Sequence, residues 1–287
     1  MNKTLVILNP AARGERARSL REKIETLSLR AVVRMTSSIG DAREMAADGV
    51  ADGFETIVAA GGDGTVNEVA NGLAGSPAQF GILPVGTMNV FATELGIPTG
   101  NLEAAWSIID AGHTRKVDFP TVNGIHFVQL AGAGLDAEVV RRTSPDSKKS
   151  LGPISYLLTL AQVAADRPPA IRIQPDDSHE RAGSFILVGN GRFYGGPFVL
   201  FKDARPDDGL LDVLVFKNQS HWDVVRYIQA IAFGNHPALP DVDYFQTRAM
   251  TLESDGETPV ELDGEPASSL PARFEIPPTR LTVLAPT

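Results

Sequence analysis

The chain has 287 residues, enough for two domains with cores of their own. Hydrophobic residues make up 43% and charged residues 21%, an ordinary globular balance, and no run approaches the ~18 apolar residues of a transmembrane helix. A net charge of −9 argues against nucleic acid and against a strongly basic membrane-binding surface, and with Cys 0 disulfides and thiolate metal sites are excluded.

In chain order, Leu5–Leu8 reads as a buried strand stopped at Asn9-Pro10. A helical pattern starts near Gly14, with Leu20, Ile24 and Leu27 on one face. Ala31–Arg34 is a second strand, followed by Thr36-Ser37-Ser38 and a helix that Asp41 would N-cap. Thr56–Ala60 is the third strand and Phe80–Leu83, ended by Pro84, the fourth. Val85–Asn89 leads into a short helix, Leu102–Ile109 is helical, and Lys116–Phe119 is a strand. This alternation predicts a parallel three-layer α/β domain over residues 1–120.

From residue 121 to 287 the texture is β-rich. Short runs at His126–Leu130, Ala170–Gln174, Phe185–Val188, Leu211–Phe216, Ala249–Leu252, Val260–Leu262 and Phe274–Ile276 are separated by turn clusters, as in a sandwich or barrel. Helical interruptions fall at residues 154–165 and at Trp222–Phe233, and Arg280–Leu284 reads as a last strand of either domain.

The third strand runs into Gly61-Gly62-Asp63-Gly64-Thr65-Val66-Asn67-Glu68, after which Val66, Val69, Ala70 and Leu73 recur at helical spacing. Glycines in a strand-to-helix turn let backbone approach a phosphate, and the first helical N–H groups point at the anion. Asp63 beside phosphates calls for an intervening cation or a proton-handling role. A plain βα turn with a capping Asp gives the same pattern. Asn9, Thr36, the Gly61–Asn67 loop and Gly86-Thr87 all follow strand C-ends, the edge where open α/β sheets bind ligands.

The motif series Asn9-Pro10, Gly61–Glu68, Gly86–Asn89, Ala131–Ala137, Asn190-Gly191 with Tyr194-Gly195-Gly196, Asp208–Asp212 and Asp263-Gly264-Glu265 resembles the diacylglycerol kinase catalytic family, the soluble bacterial lipid kinases related to sphingosine and ceramide kinases. The pieces stand in the family's order along nearly the whole chain. The resemblance implies an α/β nucleotide domain, a β-rich second domain and ATP in the cleft between them. Carried over by motif, Asn9, Thr36, Gly61, Gly62, Asp63, Gly64, Thr65, Val66, Asn67, Gly86 and Thr87 would hold ATP. Glu265 would be the general base, a role worth roughly 10²–10⁴-fold, with Asp63 also in the chemistry. Asp208, with the carbonyls of Arg205 and Leu210, would form a structural Mg²⁺ site.

Two departures stand out. Val90 occupies a place where the family often has Asp, and Arg13 one where it usually has Gly. None of the five His has metal-ligand spacing with another, and Ser184 lacks a nucleophile-elbow context. The apolar run Ile154–Leu160 and the aromatics Phe193, Tyr194, Phe198 and Phe201 fit either a core or a lipid-facing wall. The expectation is an ATP- and Mg²⁺-dependent lipid kinase, cytoplasmic, touching the inner face of the membrane peripherally to reach its lipid. The rivals are a kinase of a soluble acceptor such as NAD, which shares Gly61–Thr65, and a non-catalytic nucleotide- or lipid-binding module.

Overall fold

The computed structural model describes residues 3–10, 15–27, 31–142, 170–196 and 198–287. The helix read over residues 154–165, with Arg13 and Gly14, lies outside the described residues. The chain divides into two compact units, one of residues 1–119, 195–197 and 277–287, the other of residues 120–194 and 198–276.

The first unit contains β1 (Thr4–Leu8), α1 (Glu15–Leu27), β2 (Val32–Met35), α2 (Asp41–Ala51), β3 (Thr56–Gly61), α3 (Asp63–Gly72), β4 (Gln79–Pro84), α4 (Val90–Glu94), α5 (Leu102–Ala111) and β5 (Thr114–Asp118). Its sheet order is β2-β1-β3-β4, then the C-terminal strand Arg280–Leu284, then β5. The C-terminal strand runs parallel to β4 and antiparallel to β5. Every residue of β3 is buried, as expected of a central parallel strand covered on both faces. Helices α2 and α3 pack on β1 and β3 and on each other, and α5 packs on β4.

Asp41 is not the N-cap of α2. Gly40, with φ 92, holds that position. The Asp41 carboxylate instead folds back onto the N–H and hydroxyl groups of Ser37 and Ser38, which hold it well below the usual carboxylate range. The α2 N-terminus is satisfied from a distance: Glu68 of α3 accepts the Gly40 N–H at 3.0 Å and the Ala42 N–H at 3.1 Å.

The second unit contains β6 (Thr121–Val122), β7 (Ile125–His126), β8 (Leu130–Ala133), α6 (Leu135–Arg142), β9 (Ile171–Pro175), β10 (Arg181–Gly183), β11 (Phe185–Gly189), β12 (Phe193–Tyr194), β13 (Phe198–Val199), β14 (Leu211–Phe216), α7 (His221–Ala232), β15 (Val242–Thr247), β16 (Ala249–Ser254), β17 (Pro259–Leu262), β18 (Glu265–Ser269) and β19 (Ala272–Glu275). Two mainly antiparallel sheets, β10-β9-β16-β19-β6-β7 and β15-β14-β11-β8-β17-β18, enclose a core that includes Phe127, Ile173, Ile186, Val213, Met250 and Phe274. A second apolar cluster, with Leu135 and Val139 of α6 and Val224 and Tyr227 of α7, covers the far side of the second sheet. Strands β11 and β14 are therefore buried on both faces and apolar along nearly their whole length, Asp212 of β14 being the charged exception.

The run His126–Leu130 is not one strand. Asp263 takes the N–H groups of Val128, Gln129 and Leu130 at 2.8, 2.9 and 3.0 Å, so Val128 and Gln129 bend between β7 and β8, and Leu130 begins β8. Several elements beyond those read from sequence appear, among them α6 and the strands β10, β15 and β18.

Candidate active site

In the first unit the strand-end loops meet. The backbone N–H of Asn9, at the end of β1, donates to the Ala60 carbonyl at 2.9 Å, and its side-chain amide donates to Thr65 Oγ1 at 2.9 Å. Thr36, past β2, donates its N–H to Leu8 O at 2.9 Å. The two glycine loops approach closer than any side chain permits: a Cβ on Gly86 would lie 2.4 Å from Gly62 Cα. Glycine at position 86 is thus a packing requirement, whereas a Cβ on Gly62 would meet Gly86 Cα at a tight 3.3 Å. Asn89 adopts φ 50 and locks its own loop, accepting the Gly86 N–H at 3.0 Å and donating to Gly86 O at 2.8 Å.

Asp63 is the bridge. Its Oδ1 accepts the Val90 N–H at 2.7 Å, so the Gly61–Asn67 loop holds the start of α4 by backbone, not by the side chain at position 90. Burial pushes the Asp63 carboxyl up, against N–H groups of Val90, Asn89 and Phe91 that pull it down. The α3 N-terminus begins at Gly62 with no side-chain cap. Gly64 has open space where a Cβ would be, Thr87 is exposed, Thr65 and Val66 are buried, and Asn67 receives the Asn71 amide on its side chain at 3.0 Å. The structure thus gathers Asn9, Thr36, Gly61 to Asn67, Gly86 and Thr87 at one edge of the sheet.

In the second unit, Asp263 and Gly264 form a two-residue hairpin with φ 51 and 84, closed by the Leu262–Glu265 pair. The roles within the triplet separate. Asp263 points inward onto the three N–H groups described above. Glu265 is exposed at the start of edge strand β18. Behind it lies a feature that motif reading missed. Asp136 and Glu261 are 5% and 1% exposed, and a Cβ on Gly132 would sit 2.9 Å from both Asp136 Oδ2 and Glu261 Oε1. Burial first, and the Asp136 carboxyl second, push Glu261 well above the ordinary carboxylate range. Its Oε2 accepts the Gly264 N–H at 2.7 Å, while Asp136 Oδ1 accepts the Tyr194 hydroxyl at 2.5 Å. Two carboxyl groups in one dry spot retain a proton between them. By strand period Glu261 lies on the face opposite the core residues Val260 and Leu262, so its sequence pattern reads as a solvent-facing residue, and only the packing of α6 on β17 buries it.

The turn before β14 gathers negative charge. Asp212 is pushed up to about 6, by burial and by Asp208 and Asp203, against the Tyr244 hydroxyl and the Gln246 amide that hold it down. Its Oδ2 is buried without a hydrogen-bond donor. Asp208 Oδ1 accepts the Leu210 N–H at 3.0 Å, and Arg205 reaches Asp207 at 3.5 Å. Among the described residues no three His, Cys, Asp or Glu side chains converge as a ligand set. A hard cation fits the charge here, held by carboxylate and carbonyl oxygens. Strands β11, β8 and β17 separate β14, which follows this turn, from β18, so the structure does not bring Asp208 next to Glu265. Of the aromatics left open above, Phe201 is core, Tyr194 serves Asp136, and Phe198 is 53% exposed.

The family model described as the diacylglycerol kinase catalytic domain matches residues 3–122, and the YegS C-terminal NAD kinase beta sandwich-like domain matches residues 129–285. The chain belongs to the diacylglycerol kinase catalytic family. A Pseudomonas aeruginosa (strain UCBPP-PA14) protein named "Probable lipid kinase YegS-like" is 38% identical to this family member over 263 residues, covering 88% of this chain and 84% of that protein. A "Diacylglycerol kinase" of Mycobacterium tuberculosis (strain CDC 1551 / Oshkosh) is 33% identical over 257 residues, 86% of this chain and 82% of that protein. The crystal structure of a diacylglycerol kinase from Bacillus anthracis str. Sterne superposes with a TM-score of 0.79 at 27% identity, covering 99% of this chain and 97% of that one. Among the described residues of this lipid kinase, no helix is long and apolar enough to cross a membrane.

Proposed function

We propose that the protein transfers the γ-phosphate of ATP to the hydroxyl of a diacylglycerol- or sphingoid-type lipid, with Glu265 as general base. The observation that supports this most is the meeting of four strand-end loops around an uncapped helix N-terminus, with Gly62 and Gly86 in backbone contact. That edge suits polyphosphate, because the first N–H groups of a helix have no partner within it and α3 has no side-chain cap to take them. In this reading Asn9, Thr36, Gly61 to Asn67, Gly86 and Thr87 hold the nucleotide. Asp63 keeps the two glycine loops together through the Val90 N–H. Mg²⁺, when bound, neutralises charge on the transferred phosphoryl group. A second cation would rest on Asp208 and the carbonyls of Arg205 and Leu210, where the orphaned Asp212 oxygen gives it reason to bind.

The chemistry left to the protein is a proton. As the lipid oxygen bonds to the γ-phosphorus and the bond to ADP breaks, the hydroxyl proton passes to a Glu265 carboxylate oxygen. Exposure suits this role, because the acceptor must reach the carboxylate. The reading entails a cytoplasmic enzyme that meets its lipid by peripheral contact at the inner membrane face.

The description of the C-terminal match favours one alternative, a soluble NAD-type acceptor. One experiment separates the two: radiolabelled ATP with a panel of diacylglycerol, ceramide, sphingoid bases and NAD, and mass analysis of the products. Label on a lipid supports the proposal, and label on NAD alone overturns it. For the base, Glu265→Gln is expected to leave ATP affinity by calorimetry nearly unchanged and to lower kcat by at least about a hundredfold. A variant that loses ATP binding but keeps its maximal rate would remove Glu265 from the chemistry.

A further inference from the structure

Helix α7 has an outer face that its own fold does not use. Its inner residues Val224 and Tyr227 pack under the second sheet, with the Tyr227 ring edge-on to Phe216 at 4.8 Å. Its charged residues are spent locally. Asp223 forms a capping box with Ser220, and Arg226 pairs with Asp223 and Asp241. What remains outward is uncharged and mostly apolar: Trp222 is 83% exposed, Val225 46%, Ile228 37% and Phe233, at the C-cap, 83%, with His221 and Gln229 the polar residues among them. Strand β13 adjoins α7 and adds Phe198 and Val199, 53% and 41% exposed. No Asp, Glu, Lys or Arg is among the exposed residues of the helix.

A surface helix ordinarily turns charge to water. Here a bulky aromatic stands at each end, roughly 16 Å apart along the axis by helical rise. Trp and Phe at the ends of an apolar stripe suit the headgroup boundary of a bilayer, with aliphatic residues between them reaching the acyl chains. Charge points the same way. The chain carries −9 overall, and an anionic leaflet repels carboxylates, so a bilayer can be met only through a window free of them.

We propose that the outer face of α7, with Phe198 and Val199, seats on the lipid surface with the helix axis in the membrane plane. The proposal rests on the lipid-kinase reading above and deepens it by naming the docking element. Docking works by apolar insertion rather than by basic attraction, so it depends only weakly on salt.

The chain has two Trp, so the full-length Trp106→Phe variant leaves Trp222 as the only tryptophan. Adding phosphatidylcholine vesicles with 20% phosphatidylglycerol is expected to shift its emission to the blue, with quenching by brominated acyl chains. Val225→Asp with Ile228→Asp is expected to weaken vesicle partitioning at least tenfold without moving the melting temperature. The same pair should lower turnover on long-chain diacylglycerol in vesicles about tenfold, and leave turnover on a short-chain, water-dispersed diacylglycerol unchanged. Unaltered partitioning in the double variant, or no blue shift, overturns the docking face. So does a shift from dimer to monomer in sedimentation with vesicle binding intact, which would give the face to a second copy of the chain. If neither lipid is phosphorylated, the kinase reading fails, while the fluorescence and partitioning still judge the docking face by themselves.

Discussion

The carboxylate of Asp63 is bound to the backbone of Val90, so a change there acts on structure and activity together. Asp63→Asn keeps an acceptor for that N–H and removes the charge. Asp63→Ala removes both. The alanine variant is expected to lose about 1.5–3 kcal/mol of stability, the worth of a hydrogen bond to a charged group, and the asparagine variant much less. Both are expected to lose turnover on the accepted lipid. Chemical denaturation beside initial rates checks this. Equal melting of the two variants would mean that the contact carries no weight.

Glu261 gives a second residue-scale expectation, with a sign. Its folded-state pKa lies well above the ordinary glutamate value of 4.5, so between that value and the raised one the native state binds more proton than the unfolded chain. Stability contributed by this group therefore falls as pH rises above about 4.5. Glu261→Gln can still accept the Gly264 N–H and can donate to Asp136 at any pH, so its stability curve should be flatter on the alkaline side. Melting temperature against pH for the two proteins is the measurement. Parallel curves would remove the shared proton.

Among the elements, the contact between Gly62 and Gly86 makes the sharpest demand. Gly86→Ala forces a Cβ into a space 2.4 Å from Gly62 Cα, and overpacking of that kind costs about 1–3 kcal/mol. The loops must part to admit it, so ATP affinity by calorimetry should fall along with stability, whereas a variant with normal affinity would show that the loops bind independently. The elements differ in how openly the sequence announces them. Strands β1, β3 and β4 are continuous apolar runs, and the glycine loop marks a strand-to-helix turn, so that half of the fold was legible locally. Strand β15 alternates half-buried and exposed residues at a sheet edge, and β18 is polar with Pro266 inside it, which only an edge strand tolerates. Helix α6 is buried at six of its eight positions and so lacks the polar stripe that betrays a surface helix. For the site, the residue types were legible but their partners were not. Glu68 reaching α2, and Asp263 reaching Val128 to Leu130, join residues 26–28 and 133–135 positions apart, a distance over which no periodicity carries information.

At the scale of the molecule, each unit is discontinuous in sequence. The first closes its sheet only by taking the C-terminal strand between β4 and β5, with Val283 and Leu284 buried there. The segment that matches the catalytic-domain model, residues 3–122, therefore lacks a central strand of its own sheet. Expressed alone, residues 1–122 should be unfolded or aggregated. Fusing residues 277–287 behind them through a flexible linker should restore cooperative melting. Circular dichroism and a thermal scan of the two fragments test this, and cooperative unfolding of the shorter one would show that the sheet tolerates the gap.

That borrowed strand also sets an order of events on the ribosome. Gln79 and Phe80 of β4 pair with β3 on one side but must wait for Thr282 and Val283 on the other, an interval of roughly 10–40 s at ordinary rates of translation. During it the nascent N-terminal half shows an unpaired, apolar strand edge. The later-made β unit can be complete before the earlier-made one, reversing the usual vectorial sequence. A chaperone that shields bare edges is therefore expected to matter more for the yield of this enzyme than its modest size would suggest.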